Sequence, residues 1–152
     1  MAADMMALLV ADVFEAAGAL RRLGERTARA AGLTQARWQV LSVASATPVT
    51  VAQAARRLGV SRQNIQRVAN DLAASGHAAF AANPDHKGSP LLTLTPLGQE
   101  ALALVTARAA AAHRELLTGL AEDDLVRTRS FLRGLLTELD RQEDQDSAAP
   151  VR

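Results

Sequence analysis

The chain is expected to be mainly α-helical with one short β-hairpin. Apolar residues recur at spacings of three and four over most of its 152 residues, and N-cap and turn residues fall between those stretches. Only 78–82 and 91–94 have the brevity of strands, and they flank Asn83-Pro84-Asp85-His86-Lys87-Gly88-Ser89-Pro90, a run dense in turn formers. A hydrophobic share of 49% can support a sizeable core without metals or disulfides. With no cysteine, disulfide staples, thiolate zinc sites and thiol redox sensing are excluded.

Each element has its own reason. From Asp4 to about Ala31, residues Met6, Leu9, Val13, Ala17 and Leu20 form an amphipathic stripe that Gly32 ends. Thr34 can cap a second helix carrying Trp38, Leu41 and Val43, which stops before Pro48. Thr50 with Gln53 three residues on is a capping box for a third helix running to Leu58. Gly59-Val60-Ser61 then turns the chain, with Gly59 as left-handed helix end and Ser61 as the next N-cap. The fourth helix turns Ile65, Val68 and Leu72 inward and ends near Ser75-Gly76. Small Ala54 and Ala55 allow the two helices to cross closely. After the hairpin, in which Leu92 and Leu94 share a face, Thr95-Pro96 starts a fifth helix to about Thr118. Glu122-Asp123-Asp124 begin a sixth, with Leu125, Leu132, Leu135 and Leu139 in a stripe. A hairpin directly after a helix-turn-helix makes the fold a winged helix-turn-helix with six helices. Residues 1–152 read as a single domain: a winged lobe at 33–95, a helical dimerisation region at 4–31 and 96–141, and a disordered tail at 142–152.

Charge is polarised along the chain although the net value is +1. Residues 32–99 hold six basic side chains against two acidic, and residues 115–152 hold five against nine. A basic middle suits a polyanion and an acidic tail should face away from it. The first turns of the fourth helix expose Arg62, Gln63, Gln66 and Arg67, with Asn64 at the margin. Arginine can address guanine and glutamine adenine through paired hydrogen bonds in the major groove. Ser61, Thr50 and Gln53 sit at helix N-termini, which favour phosphates and fix register. Lys87 at the hairpin tip suits a minor groove or a phosphate, with Asp85 placed to orient it.

The motifs LTQARWQVL, VTVAQAARRLGVSRQNIQRVANDLAASG and NPDHKGSPLLTLTPLGQEAL, spanning Leu33 to Leu102, resemble the MarR (multiple antibiotic resistance regulator) family. The resemblance implies a homodimer whose first, fifth and sixth helices intertwine, with the fourth helix in the major groove and the wing in the adjacent minor groove. Carried over by position, it supports Ser61, Arg62, Gln63, Gln66 and Arg67 as DNA contacts. Three positions depart from the family pattern: Asp85-His86-Lys87 stands for its Asp-x-Arg, Ala54 for a leucine in the third helix, and His77 for an apolar residue after Gly76. A lysine wing lacks the planar guanidinium fork.

The function expected is sequence-specific recognition of a pseudo-palindromic double-stranded operator by a homodimeric repressor tuned by a small aromatic or anionic effector. Arg37 and Trp38 are the effector-pocket candidates, with Trp38 also suited to the core. The alternative is a ligand-binding or protein-binding winged-helix module without DNA affinity. No cofactor and no metal are expected, because His77, His86 and His113 stand at no ligand spacing. No nucleophile motif accompanies the serines, so no enzyme is expected. Asp4 and Asp12 interrupt the apolar start where an export signal or membrane span would need none, so the expected place is the cytoplasm, away from membranes.

Overall fold

The computed structural model describes residues 1–148, with side-chain exposure described to residue 145. The chain forms two compact units that divide at Ala111 and Ala112. The division falls inside the fifth helix. The physical reason lies in the core: Ala28 of the first helix and Val105 of the fifth are buried in the same cluster as the winged lobe.

The first unit contains α1 (Ala2–Arg29), α2 (Gln35–Ala46), β1 (Val49–Thr50), α3 (Val51–Leu58), α4 (Arg62–Ala74), β2 (Ala78–Ala81), β3 (Leu91–Leu94) and most of α5 (Pro96–Leu117). The strands form an antiparallel sheet in the order β1-β3-β2, with Leu92 of β3 opposite both Val49 and Phe80. The hairpin is therefore the expected one, with a third strand added. β1 is only two residues long, too short to show alternation, and Thr50 reads from sequence as the start of α3 and not as part of a strand. Its pairing partner lies some forty residues away in sequence, beyond any local pattern.

Leu41, Leu72, Leu92, Val40, Val49 and Val105 are the largest fully buried side chains. On α2 the buried set is Val40, Leu41 and Ala44, while Trp38 and Val43 are half-buried against that core. Ala54 and Ala55 are buried where α3 meets α4, as their size allows. Gly98 is fixed by a close approach of backbones: a Cβ there would collide with the His77 carbonyl oxygen. Beside it the Thr95 hydroxyl accepts from the Gly98 N–H at 3.1 Å and donates to the Gly76 carbonyl at 2.6 Å, so one threonine caps α5 and ties it to the end of α4.

The second unit holds the end of α5 and α6 (Glu122–Ala148), whose first turn carries Glu122, Asp123 and Asp124 at the positive end of its dipole. The helix does not stop near 141 as the sequence suggests: Arg141 pairs with Glu138 at 2.8 Å and α6 continues to Ala148. The remaining residues of the expected tail, 149–152, lie outside the described residues.

The terminal helices keep their apolar residues uncovered. On α1, Met5, Leu8, Phe14 and Leu20 are exposed, Phe14 by 75%, and the stripe residues Met6 and Val13 are only marginally sheltered. On α6, Leu125, Val126, Phe131, Leu136 and Leu139 are exposed, with only Leu132 and Leu135 half-buried.

Candidate nucleic-acid interface

The site begins with two capped helices. Thr50 Oγ1 accepts from the Gln53 N–H at 3.2 Å while Gln53 Oε1 accepts from the Thr50 N–H at 2.8 Å, completing the capping box. Each side chain still has donors to spare: the threonine hydroxyl proton and the glutamine amide. Gly59 closes α3 in the left-handed region at φ 65°, with its N–H on the Ala55 and Arg56 carbonyls. Ser61 then caps α4 by accepting from the Asn64 N–H at 3.2 Å, again leaving its own O–H free to donate to an anion.

Ile65, Val68, Ala69 and Leu72 are buried, which turns Arg62, Gln63, Asn64, Gln66 and Arg67 outward. The exposed residues are not equivalent. Gln66 Nε2 donates to Asn70 Oδ1 at 3.0 Å, which leaves the Gln66 carbonyl oxygen and one N–H uncommitted. Arg67 donates through Nη2 to Asn64 Oδ1 at 3.1 Å and lies 3.8 Å from the Asp71 carboxylate, so its guanidinium is already oriented along the helix. Arg62 has no carboxylate within ion-pair distance among the described residues and keeps its full donor fork.

One crevice is shared by Thr50, Arg62, Gln66 and Ser89, and a neighbouring one by Thr50, Gln53, Arg56 and Asp85. The start of α3, one flank of α4 and the base of the wing thus adjoin. Lys87 is exposed at the tip, but no ion pair joins it to Asp85 among the described residues. The tip is shaped instead by Asn83, whose Oδ1 accepts from the Asp85 N–H at 3.0 Å and whose Nδ2 donates to the Ser89 carbonyl at 2.8 Å. Asn83, Asn70 and Asp71 are the supporting residues that sequence reasoning missed. The last two were signalled by lying four residues after Gln66 and Arg67, where helical side chains meet.

Trp38 packs against the hydrophobic core, and Arg37 is half-buried with its N–H on the Thr34 cap at 3.2 Å. Neither lines the crevices around α4. His77 Nδ1 is 2.9 Å from the Ser75 hydroxyl. Among the described residues no three metal-ligating side chains cluster, and no helix is long and apolar enough to cross a membrane.

Comparison with known proteins places this geometry in a family. The model of the MarR family matches residues 31–87, which cover the helix-turn-helix and reach into the wing. An uncharacterised protein of Mycobacterium tuberculosis is 52% identical over 136 residues, 90% of this chain and 95% of the relative. The transcriptional activatory protein BadR of Rhodopseudomonas palustris is 29% identical over 137 residues, 87% of this chain and 78% of BadR. A crystal structure of a mutant MarR from E. coli complexed with operator DNA superimposes with a TM-score of 0.78 at 22% identity, covering 87% of this chain and 96% of that one. That likeness shows the shared fold, a winged helix with flanking helices. Residues 31–87 thus carry the signature of the MarR family, within a chain whose fold is that of solved MarR-family proteins.

Proposed function

We propose that the protein is a homodimeric, sequence-specific binder of double-stranded DNA that represses transcription by occupying its operator. The observation that carries the reading is the outward face of α4, where Arg62, Gln63, Gln66 and Arg67 stand exposed on the first turns of a helix held by two caps. In this reading α4 lies in the major groove and reads base edges, each good bidentate pair discriminating by about 1–3 kcal/mol. Thr50, Gln53 and Ser61 hold phosphates with the donors that capping leaves free, and Asn64 keeps Arg67 in place. Lys87 follows the adjacent backbone as a point charge, a weaker anchor than a guanidinium.

Dimerisation is supported by the exposed apolar residues of α1 and α6. Burying a side chain such as Phe14 or Phe131 gains roughly 1.5–3 kcal/mol, and a second copy of the chain is the partner always at hand. Two copies would set their recognition helices about one DNA turn apart, roughly 34–36 Å, and require a pseudo-palindromic site. A small effector, aromatic or anionic, tunes such a repressor only by preferring one separation of the two lobes over another. Arg37 and Trp38 remain its candidates, because a cation and a large ring suit an aromatic anion.

Fluorescence anisotropy with labelled promoter duplexes tests the reading. The wild-type chain should bind a specific duplex tightly, with Arg62→Ala losing discrimination while the molecular mass of the free protein stays that of a dimer. A wild-type chain that binds no duplex at low salt belongs instead to a ligand-binding or protein-binding module.

A further inference from the structure

We infer that the DNA interface extends beyond the winged lobe to a second phosphate-binding surface formed by Arg21 and Arg22 of α1. This rests on the DNA-binding reading above and adds to it the side of α4 that faces away from the wing. Charge on α1 is divided: Asp4, Asp12 and Glu15 occupy the first two-thirds, and Arg21, Arg22, Arg26 and Arg29 the last third. Glu25 is the single carboxylate in that basic stretch, and both its oxygens are engaged. Oε2 accepts from the Gln35 N–H at 3.0 Å and Oε1 from Arg29 Nε at 3.2 Å. Among the described residues neither Arg21 nor Arg22 has a carboxylate within ion-pair distance.

The two arginines border a crevice of about 560 Å³ whose other walls include the amide side chains of Gln35, Gln39 and Asn64. Asn64 is also part of the outward face of α4, so crevice and recognition helix are continuous. At about 100° per residue, Asn64 lies on nearly the opposite side of α4 from Arg62 and Gln66. Those two border the wing-side crevice with Thr50. A helix of about 10–12 Å diameter fills a major groove about 12 Å wide, so a sugar-phosphate wall stands on each flank. One wall meets the start of α3 and the wing. The other meets two unpaired guanidinium groups and three amides, donors suited to phosphate oxygens and without base selectivity.

The test compares salt dependence of duplex binding for the wild type, Arg21→Gln/Arg22→Gln and Arg21→Lys/Arg22→Lys. Removing one arginine–phosphate pair should lower the slope of log affinity against log salt by about 0.9, so the glutamine variant of a dimer should lose about 3 to 4. Its preference for the specific over a random duplex should stay unchanged, and the lysine variant should recover most of the slope. An unchanged slope in the glutamine variant, while the wild type binds DNA and Arg62→Ala loses discrimination, overturns this inference and leaves the DNA-binding reading intact. A glutamine variant that loses binding of inorganic phosphate but not of DNA likewise overturns it, assigning the crevice to a free anion. A wild type that binds no duplex overturns both. Because both side chains are exposed, melting temperatures of the variants should match the wild type, and a fall shared by the lysine variant would mark a packing role that also overturns the inference.

Discussion

The winged lobe and the terminal helices use similar amounts of apolar sequence to opposite ends. In the lobe, Leu41, Leu72 and Leu92 are wholly buried and no buried side-chain polar atom lacks a partner among the described residues. On α1 and α6, phenylalanine, leucine and valine side chains remain exposed. The lobe buries its apolar residues in one core, to which Ala28 of α1 and Val105 of α5 also contribute; α1 and α6 each keep apolar side chains exposed. Stability of the lobe should therefore be independent of protein concentration, and stability of the terminal helices should follow it.

Four substitutions sharpen that contrast, from the largest expected effect to the smallest. Leu72→Ala empties a fully buried position and should cost about 2–5 kcal/mol in chemical denaturation, through lost transfer free energy and the residual cavity. Phe131→Ala should leave the lobe's packing alone and, with two copies per dimer each burying the roughly half of the ring now exposed, weaken self-association by about 1.5–3 kcal/mol, roughly 10- to 150-fold in the dimer dissociation constant by sedimentation equilibrium. Gly98→Ala drives a methyl group into the His77 carbonyl, which is held by the Thr95 N–H at 3.2 Å; overpacking of about 1–3 kcal/mol should appear in the melting temperature at every concentration. Thr50→Ala removes the capping oxygen of α3 and should cost about 0.5–2 kcal/mol, with a weaker hold on duplex DNA but no change in self-association. If Phe131→Ala destabilised the lobe as Leu72→Ala does, the two regions would not be separate in kind.

What sequence could reveal follows the same division. Local chemistry was legible: the Thr50–Gln53 box, the Ser61 cap and the Thr95-Pro96 start stand where their residue types put them, and so does the inward row Ile65, Val68 and Leu72. Pairing over distance was not. β1 exists only because Val49 and Thr50 meet Leu92 and Leu91, and the two-residue strand carries no period of its own. On α2, three apolar positions within four residues fit more than one helical face, so Val40 took the buried place that the spacing alone assigns to Val43. The end of α6 was not legible because residues 142–147 are all polar and carry no apolar stripe to mark a helix. At the candidate interface the exposed residue types were readable from spacing, whereas the restraint of Arg67 by Asn64 and Asp71, and the freedom of Arg62, required coordinates.

Selection of bound duplexes from a random pool, followed by the mass of the purified complex, tests the proposed pairing of recognition helices most directly. The account predicts enrichment of inverted half-sites with centres about one helical turn apart, each occupied by one chain of a dimer. Enrichment of a single undivided site by one chain, or no enrichment at any salt concentration, would contradict it.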